Sequence, residues 1–315
     1  MKSEINPLKY SIVVSVYNEQ ESLPIFSRDL NNYLIANYPD QFEIIWVNDG
    51  SIDESYRILQ QLCHDKPQNK LINFAQNFGH EMCMMCGIKN SHGDAIIVMD
   101  ADGQHPPHSL EKLINKFQNG NDIVLMVREE RFDSGIVRKI LTTVFYQVLR
   151  KLSGVNFEAN ATDFFLVSRK VKEYLHENYP DRVRFLRGQL QVLNFKKSFT
   201  TFSAPNRIAG ESKYPLRKLF LFSFMCITSH SKVPLHLGLF LGIIMAIFSF
   251  LVMCFSLVMY LLGDPPPGYT TLVVLVSLMF SIQFVLIGFI GIYIGHNFDE
   301  IKKRPHFSID STINI

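Results

Sequence analysis

Two aspartates one residue apart, Asp100 and Asp102, follow the apolar run Ala95–Met99 and precede Gly103 and Gln104. In an extended chain, side chains at i and i+2 point the same way. Both carboxylates therefore face one point, and Gln104 joins them if the chain stays extended. Two hard oxygen donors at the end of an apolar strand suit Mg²⁺ or Mn²⁺ held together with a diphosphate. The same residues also suit a solvated turn in which one aspartate caps a helix, so the spacing alone leaves both readings open. Two more polar clusters end apolar runs: Tyr17-Asn18-Glu19 after Ser11–Val16, and Asn48-Asp49-Gly50-Ser51 after Phe42–Val47. The second is ordinary turn and cap chemistry, although Asp49 could also accept hydrogen bonds from a base or a ribose. Cys83-Met84-Met85-Cys86 has redox or zinc spacing, but it lacks a second cysteine pair and lies in a helical stretch. Core packing is the expectation there.

The elements that must position these clusters are legible from periodicity. Short β-branched runs recur at Ser11–Val16, Phe42–Val47, Leu71–Phe74, Ala95–Met99 and Ile123–Val127, with helix-like stretches between them. That repeat is the length of a βαβ unit and predicts a mostly parallel sheet covered on both faces. In such sheets ligands bind beyond the carboxyl ends of the strands, where all three polar clusters fall. Ser51-Ile52-Asp53-Glu54 has the spacing of a capping box, and Pro106-Pro107 suits the opening of a helix over Ser109–Phe117. A helix around Ile136–Leu152, a strand Phe164–Val167 and a helix from Arg169 follow.

The 315 residues suit about two domains. The apolar fraction of 47% and the mean hydropathy of +0.09 lean toward membrane contact. A net charge of +2 gives no basic excess and argues against a nucleic-acid partner. Five cysteines without framework spacing fit a reducing compartment. The polar start at Lys2 and Glu4 and the short first apolar run predict no signal peptide. Between Leu235 and Gly295 the only charged residue is Asp264. Leu235–Leu262 and Thr270–Gly295 each exceed the roughly 20 residues that span hydrocarbon, and the Gly263–Tyr269 turn between them carries three prolines. Arg217, Lys218 and Lys232 precede the block and Lys302, Lys303 and Arg304 follow it, which by the positive-inside rule predicts cytoplasmic ends. The expected organisation is a soluble domain over 1–213, interfacial helices over 214–233, a transmembrane hairpin over 234–296 (spans 235–262 and 270–295) and a cytoplasmic tail over 297–315.

Taken together, Ser11–Glu19, Glu43–Ser51, Asn77-Phe-Gly-His80 and Gly93–Gln104 with Pro106-Pro107 resemble inverting family 2 glycosyltransferases of GT-A fold. The likeness continues through Thr162-Asp163-Phe164, Arg184-Phe-Leu-Arg-Gly188 and Arg207–Tyr214, which with the hydrophobic hairpin narrow it to the dolichyl-phosphate-mannose synthase-like group. That resemblance implies a Rossmann-like GT-A domain with a C-terminal two-helix hairpin in the membrane. It implies inverting transfer of one sugar from a UDP- or GDP-sugar to a polyprenyl phosphate, with the product serving cell-envelope glycans. It places the donor nucleotide on Tyr17, Asn18, Glu19, Asp49 and Asp100, and a Mg²⁺ or Mn²⁺ ion on Asp100, Asp102 and Gln104. Asp163 and Asp102 take the catalytic positions. Arg128, Arg131, Arg207 and Lys213 match basic positions that hold phosphates. The implied partners are the donor, the lipid acceptor and the bilayer, with a homo-oligomer left open.

Gly103 and His105 depart from the bulkier apolar residue and the acid common in that stretch, and Thr162 and Phe165 replace a frequent Gly and Arg. His105 could approach the metal, but a solvated loop histidine is the expectation. A membrane-tethered binding or scaffold subunit would not need Asp163 and the paired aspartates. A processive polysaccharide synthase would carry a Gln-x-x-Arg-Trp motif and more spans, and this chain has neither.

Overall fold

A computed structural model of the chain describes residues 9–64, 66–129, 158, 160–178, 185–205, 233–262, 268–302 and 307–315. Contacts divide the chain into two compact units. One holds Met1–Gln147, Val155–Lys213 and Pro305–Ile315, and the other holds Val148–Gly154 and Tyr214–Arg304.

The first unit is built on β1 (Tyr10–Val16), β2 (Phe42–Asn48), β3 (Asn69–Phe74), β4 (Ala95–Asp100), β5 (Ile123–Arg128), β6 (Ala161–Ser168), β7 (Lys197–Phe202) and β8 (Ile309–Ile313). They form one sheet in the order β7-β5-β6-β4-β1-β2-β3-β8. β1 and β2 are buried at every position, because helices cover both faces and leave no polar side for an alternating pattern. α1 (Leu23–Asn37), α2 (Ser55–His64), α3 (His80–Lys89), α4 (Leu110–Gln118), α5 (Arg169–Asn178) and α6 (Leu186–Val192) complete the unit. One core joins Ile12, Val14, Trp46 and Met99 to α1 and α4. The other, on the opposite face, joins Val13, Ile45 and Val98 to α3, where Cys83 and Cys86 are buried as core residues.

The central pairings β1–β2, β1–β4 and β2–β3 are parallel, as the repeat of short runs predicts. β6 inserts antiparallel between β4 and β5, and β8 adds antiparallel to β3. The expected capping box does not form. α2 begins at Ser55, whose N–H is accepted by Asp53 Oδ1, while Ser51 Oγ accepts the N–H of Asn18 from another loop. The helix expected from Ser109 starts as a 3₁₀ turn over Pro107–Ser109 and becomes α-helical at Leu110. The expected helix around 136–152 and all but the last residue of the 214–233 stretch lie outside the described residues.

The second unit contains α7 (Val233–Leu261) and α8 (Tyr269–Lys302). Within α8, Val274–Gly295 is long and apolar enough to cross a membrane, and Gly242–Phe255 in α7 is a shorter apolar stretch.

Candidate active site

The strand ends set the site. Antiparallel register pairs Val98 of β4 with Phe165 of β6, so two residues further on Asp163 comes alongside Asp100. β1 runs parallel to β4 on its other side and pairs Ser15 with Asp100. α3 starts beyond β3, and its first residue reaches into the same place. His80 Nδ1 lies 2.9 Å from Ser15 Oγ, and its Nε2 lies 3.4 Å from Asp100 Oδ1 and 3.8 Å from Asp163 Oδ2. Ser15 Oγ donates to Asp100 Oδ1 at 3.2 Å, which leaves its lone pair for an Nδ1–H. Nε2 is buried and makes no hydrogen bond among the described residues, so Asp100 and Asp163 act on it through charge. Burial opposes a charged ring most strongly, yet Asp100, Asp163 and Glu81 together outweigh it and raise the His80 pKa.

Asp163 is held from the other side by Arg187 of α6, whose Nη1 lies 3.5 Å from Oδ2. Its Oδ1 is buried with no hydrogen-bond partner among the described residues. Glu81, next to His80, accepts the Leu186 N–H at 2.9 Å and so fixes the start of the helix that carries Arg187. Burial first, then the charge of Asp163, push the Glu81 carboxyl up to about 7. Two adjacent residues at the tip of α3 thus tie β4, β6 and α6 together. None of His80, Glu81 and Arg187 was singled out among the candidate site residues, although the first lies in the Asn77–His80 motif and the last in Arg184–Gly188. What links them is tertiary contact, which no spacing reveals.

Beyond β4, Asp102 is 6% exposed and its Oδ1 accepts the Gln104 N–H at 2.9 Å. Gly103 between them adopts φ +81, a conformation that disfavours the bulkier side chain common in the family's motif. Gln104 Oε1 accepts Arg128 Nη2 at 2.6 Å, so this glutamine orients the arginine at the end of β5. His105 is not a solvated loop residue. It is 3% exposed, stacks on Phe164 with centroids 4.8 Å apart, and its Nδ1 accepts the Asp100 N–H at 2.8 Å. Burial lowers its pKa, in keeping with a neutral ring that accepts a backbone hydrogen bond.

Among the described residues, no three His, Cys, Asp or Glu side chains gather as a metal cage. Asp100 ends β4 and Asp102 follows two residues on, which puts two carboxylates on this stretch of chain. That suits a small hard cation which takes one or two carboxylates and completes its shell with phosphate oxygens and water.

The β1 and β2 loops are bound to one another. The Asn18 N–H donates to Ser51 Oγ at 3.0 Å, Asn18 Oδ1 accepts the Ile52 N–H at 3.0 Å, and the Glu19 N–H donates to Ser55 Oγ at 2.8 Å. Asn18 takes φ +53, and Tyr17 beside it is exposed. Asp49 is buried. Its carboxylate accepts Asn77 Nδ2 at 2.9 Å, the Phe78 N–H at 2.7 Å and the Gly79 N–H at 3.0 Å, holding the loop that leads into His80. Burial raises the Asp49 pKa against the pull of these donors. Gly50, at φ +62, lets that loop pass so close that a Cβ would sit 2.4 Å from the Gln76 carbonyl carbon. Arg131, Arg207 and Lys213 lie outside the described residues.

The site therefore combines two carboxylates at and just beyond the end of β4, two loops bound to one another, and a part-buried aspartate, Asp163, flanked by an imidazole and a guanidinium. Comparison with known proteins agrees with that chemistry. The model of glycosyl transferase family 2 matches residues 11–175. An uncharacterized glycosyltransferase of Bacillus subtilis is 33% identical over 309 residues, covering 98% of this chain and 95% of the relative. A prophage-derived bactoprenol glucosyl transferase of Shigella flexneri is 33% identical over 303 residues, with 96% and 97% covered. A prophage bactoprenol glucosyl transferase homolog of Escherichia coli is 34% identical over 304 residues, with 96% and 98% covered. With a family match over more than half its length and relatives of this identity end to end, the chain belongs to glycosyl transferase family 2.

Proposed function

We propose that this glycosyltransferase moves one sugar, glucose in the first instance, from a UDP- or GDP-sugar to a polyprenyl phosphate, with inversion, at the cytoplasmic face of a membrane. The observation that carries this reading is the meeting of Asp100, Asp163, His80 and Arg187 at the carboxyl end of the sheet. The full-length likeness to proteins named bactoprenol glucosyl transferases supports the acceptor class and the sugar.

In this reading the Tyr17–Glu19 loop holds the nucleotide, while Asp49 shapes the loop before His80. Asp100 and Asp102 would hold Mg²⁺ or Mn²⁺, which when bound stabilises the charge that develops on the departing nucleoside diphosphate. Gln104 keeps Arg128 turned toward the same end of the sheet, where its guanidinium suits a phosphate. A phosphate monoester has a second pKa near ~6, so its attacking oxygen is already anionic at neutral pH and no strong general base is required. Asp163 then acts by orientation and charge. His80 and Arg187 hold Oδ2 and leave Oδ1 to accept a hydrogen bond from the donor sugar or to offset positive charge at the anomeric carbon. Arg131, Arg207 and Lys213 complete the proposed phosphate-binding set.

α7 and α8 are proposed to cross the bilayer as a pair. Connectivity supports this. β8 follows α8 and pairs with β3, so the sheet and residues 309–313 lie on one side of any membrane, and the crossings between them must be even in number. Val274–Gly295 would supply one crossing, and among the described residues α7 is the other hydrophobic helix in that interval. The Lys and Arg residues flanking the pair then favour the cytoplasm for both ends.

The test is a donor screen of the purified full chain with polyprenyl phosphate in detergent, using UDP- and GDP-glucose and other nucleotide sugars with Mg²⁺ or Mn²⁺. The expected product is a sugar linked to the lipid phosphate, formed with UDP-glucose among the active donors. Failure of every donor to give such a product in a folded protein would refute the proposal.

A further inference from the structure

The last nine residues follow a hydrophobic helix, where a solvated tail is expected, yet they are bound closely to the catalytic unit. Phe307 stacks on Phe74 with centroids 5.0 Å apart, and Ser308 O accepts the Ala75 N–H at 3.0 Å. Ser311 Oγ lies 3.0 Å from the Tyr56 hydroxyl, and Asn314 Nδ2 donates to Cys63 O at 2.7 Å and Asn69 O at 2.9 Å. Asp310 does something different. Its Oδ2 accepts Asn73 Nδ2 at 3.1 Å, Asn73 Oδ1 accepts Asn48 Nδ2 at 2.7 Å, Asn48 Oδ1 accepts Ser51 Oγ at 2.6 Å, and Ser51 Oγ accepts the Asn18 N–H at 3.0 Å. An unbroken line of hydrogen bonds crosses β3 and β2, from the C-terminal strand to the β1 loop.

Every bond in that line points the same way. A carboxylate only accepts, so Asn73 must present its NH₂ to Asp310 and its carbonyl to Asn48. Asn48 must in turn present its carbonyl to the Ser51 hydroxyl, which leaves a Ser51 lone pair for the Asn18 N–H. Without the acid, both amides are free to turn over and the order of donors is no longer fixed. The far end of the line needs such support. Asn18 stands at φ +53, a sparsely populated region that asparagine tolerates better than most residues and that the hydrogen bonds to its N–H and Oδ1 help to fix. Asn48 and Asn73 are buried, so each hydrogen bond in the line is stronger than it would be in water and reinforces its neighbours.

We propose that Asp310 is a positioning residue for the donor site: acting through Asn73, Asn48 and Ser51, it holds the Asn18 loop in the shape that receives the nucleotide. This rests on the reading of Tyr17–Glu19 as the nucleotide loop. It makes the segment beyond the hydrophobic helices a working part of donor binding, in addition to its place at the sheet edge.

The test compares the full chain with Asp310→Ala, Asp310→Asn and Asn314→Gly, all in detergent. One readout is hydrogen exchange at the Asn18 and Ile52 amides. The other is calorimetric binding of UDP and of GDP, each with Mn²⁺. In Asp310→Ala, exchange at Asn18 should quicken about tenfold, and the nucleotide that the wild type binds should bind about fivefold more weakly, the net scale of one ordinary hydrogen bond. Asp310→Asn, whose carbonyl can still accept from Asn73, should recover most of both. Asn314→Gly removes the bonds to Cys63 O and Asn69 O and so loosens the same strand without touching the line, at a φ of +62 that glycine adopts freely, and should leave both at wild-type values. If Asp310→Ala does not fold, Asp310→Ser replaces it, since its shorter side chain cannot reach Asn73. Unchanged exchange in the alanine variant would overturn the proposed line of support. Quickened exchange with wild-type nucleotide affinity would overturn its link to the donor. A wild-type chain that binds neither nucleotide would overturn the reading of the loop, and the exchange result would stand apart from it.

Discussion

Glu81→Gln separates the charge of this buried residue from its hydrogen-bonding role. Glu81 faces Asp163, His80 and Arg187 and accepts the Leu186 N–H at 2.9 Å. Its carboxyl, pushed up to about 7 chiefly by burial, carries an extra proton in the folded state over the range between the ordinary value of 4.5 and 7. Where the native state binds more protons than the unfolded chain, stability falls as pH rises. The stability lost by wild type between pH 5 and pH 8 on this account is about 2 to 3 kcal/mol. Glutamine keeps an oxygen for the Leu186 N–H and never takes the charge. The variant should therefore gain on wild type by that amount from pH 5 to pH 8, a relative shift of roughly 5 °C in Tm for a chain of this size.

Paired thermal scans of the detergent-solubilised proteins at one scan rate, at pH 5, 6, 7 and 8, give the answer. The readout is the difference between the two proteins at each pH. His80 also titrates in both, with burial lowering its pKa and the surrounding carboxylates raising it further. Glu81→Ala serves as a contrast. It removes the acceptor and leaves the Leu186 N–H unsatisfied, at a cost of about 1 to 3 kcal/mol. A Tm difference between Glu81→Gln and wild type that stays constant with pH, or that moves in favour of wild type as pH rises, would refute the reasoning.

Arg187→Ala should lower kcat at least tenfold, on the order of 1.4 kcal/mol, while nucleotide affinity stays within about twofold, because Arg187 holds Asp163 and not the nucleotide loops; steady-state kinetics alongside calorimetry would show it. Asp102→Asn should abolish the stimulation of turnover by Mn²⁺ or Mg²⁺ in a protein that still folds, and turnover by wild type that persists in EDTA would contradict the two-carboxylate site. Asp49→Ala should cost about 2 to 4 kcal/mol by leaving the Phe78 and Gly79 N–H groups unpaired. Asp49→Asn should cost less, since its carbonyl can accept from Phe78 while Asn77 turns over; comparing their Tm values tests this.

The central sheet and its polar clusters were legible because both are local properties of the chain. A β-branched run buried on both faces reads as such from its own residues, and so does the place of Asp100 at the end of one. The long uncharged stretch around α7 and α8 reads equally well, since no tertiary context is needed to count charges. The Ser51–Glu54 sequence shows where local reading stops. Its spacing suits a capping box, but Ser51 is taken by Asn18 and Asn48, partners 33 and 3 residues away, and the helix starts later. His105 looks like loop solvent chemistry until Phe164, from a strand far along the chain, stacks over it.

The sequence by itself determined the class of fold, the position of the paired aspartates at the end of β4, the family and the existence of two long apolar helices. Tertiary structure alone decided how the site is held together. Antiparallel insertion of β6 brings Asp163 beside Asp100, the start of α3 sets His80 and Glu81 between them and α6, and Arg187 closes the far side. It also decided that Ile309–Ile313 is a strand and that Asp310 reaches Asn73. Five residues at an open edge carry too little hydrophobic pattern to announce a strand, and what recruits them is the unpaired edge of β3. The reason is the same in each case. Periodicity records which face of a segment is buried, whereas register between distant segments is fixed by the packing of the whole sheet.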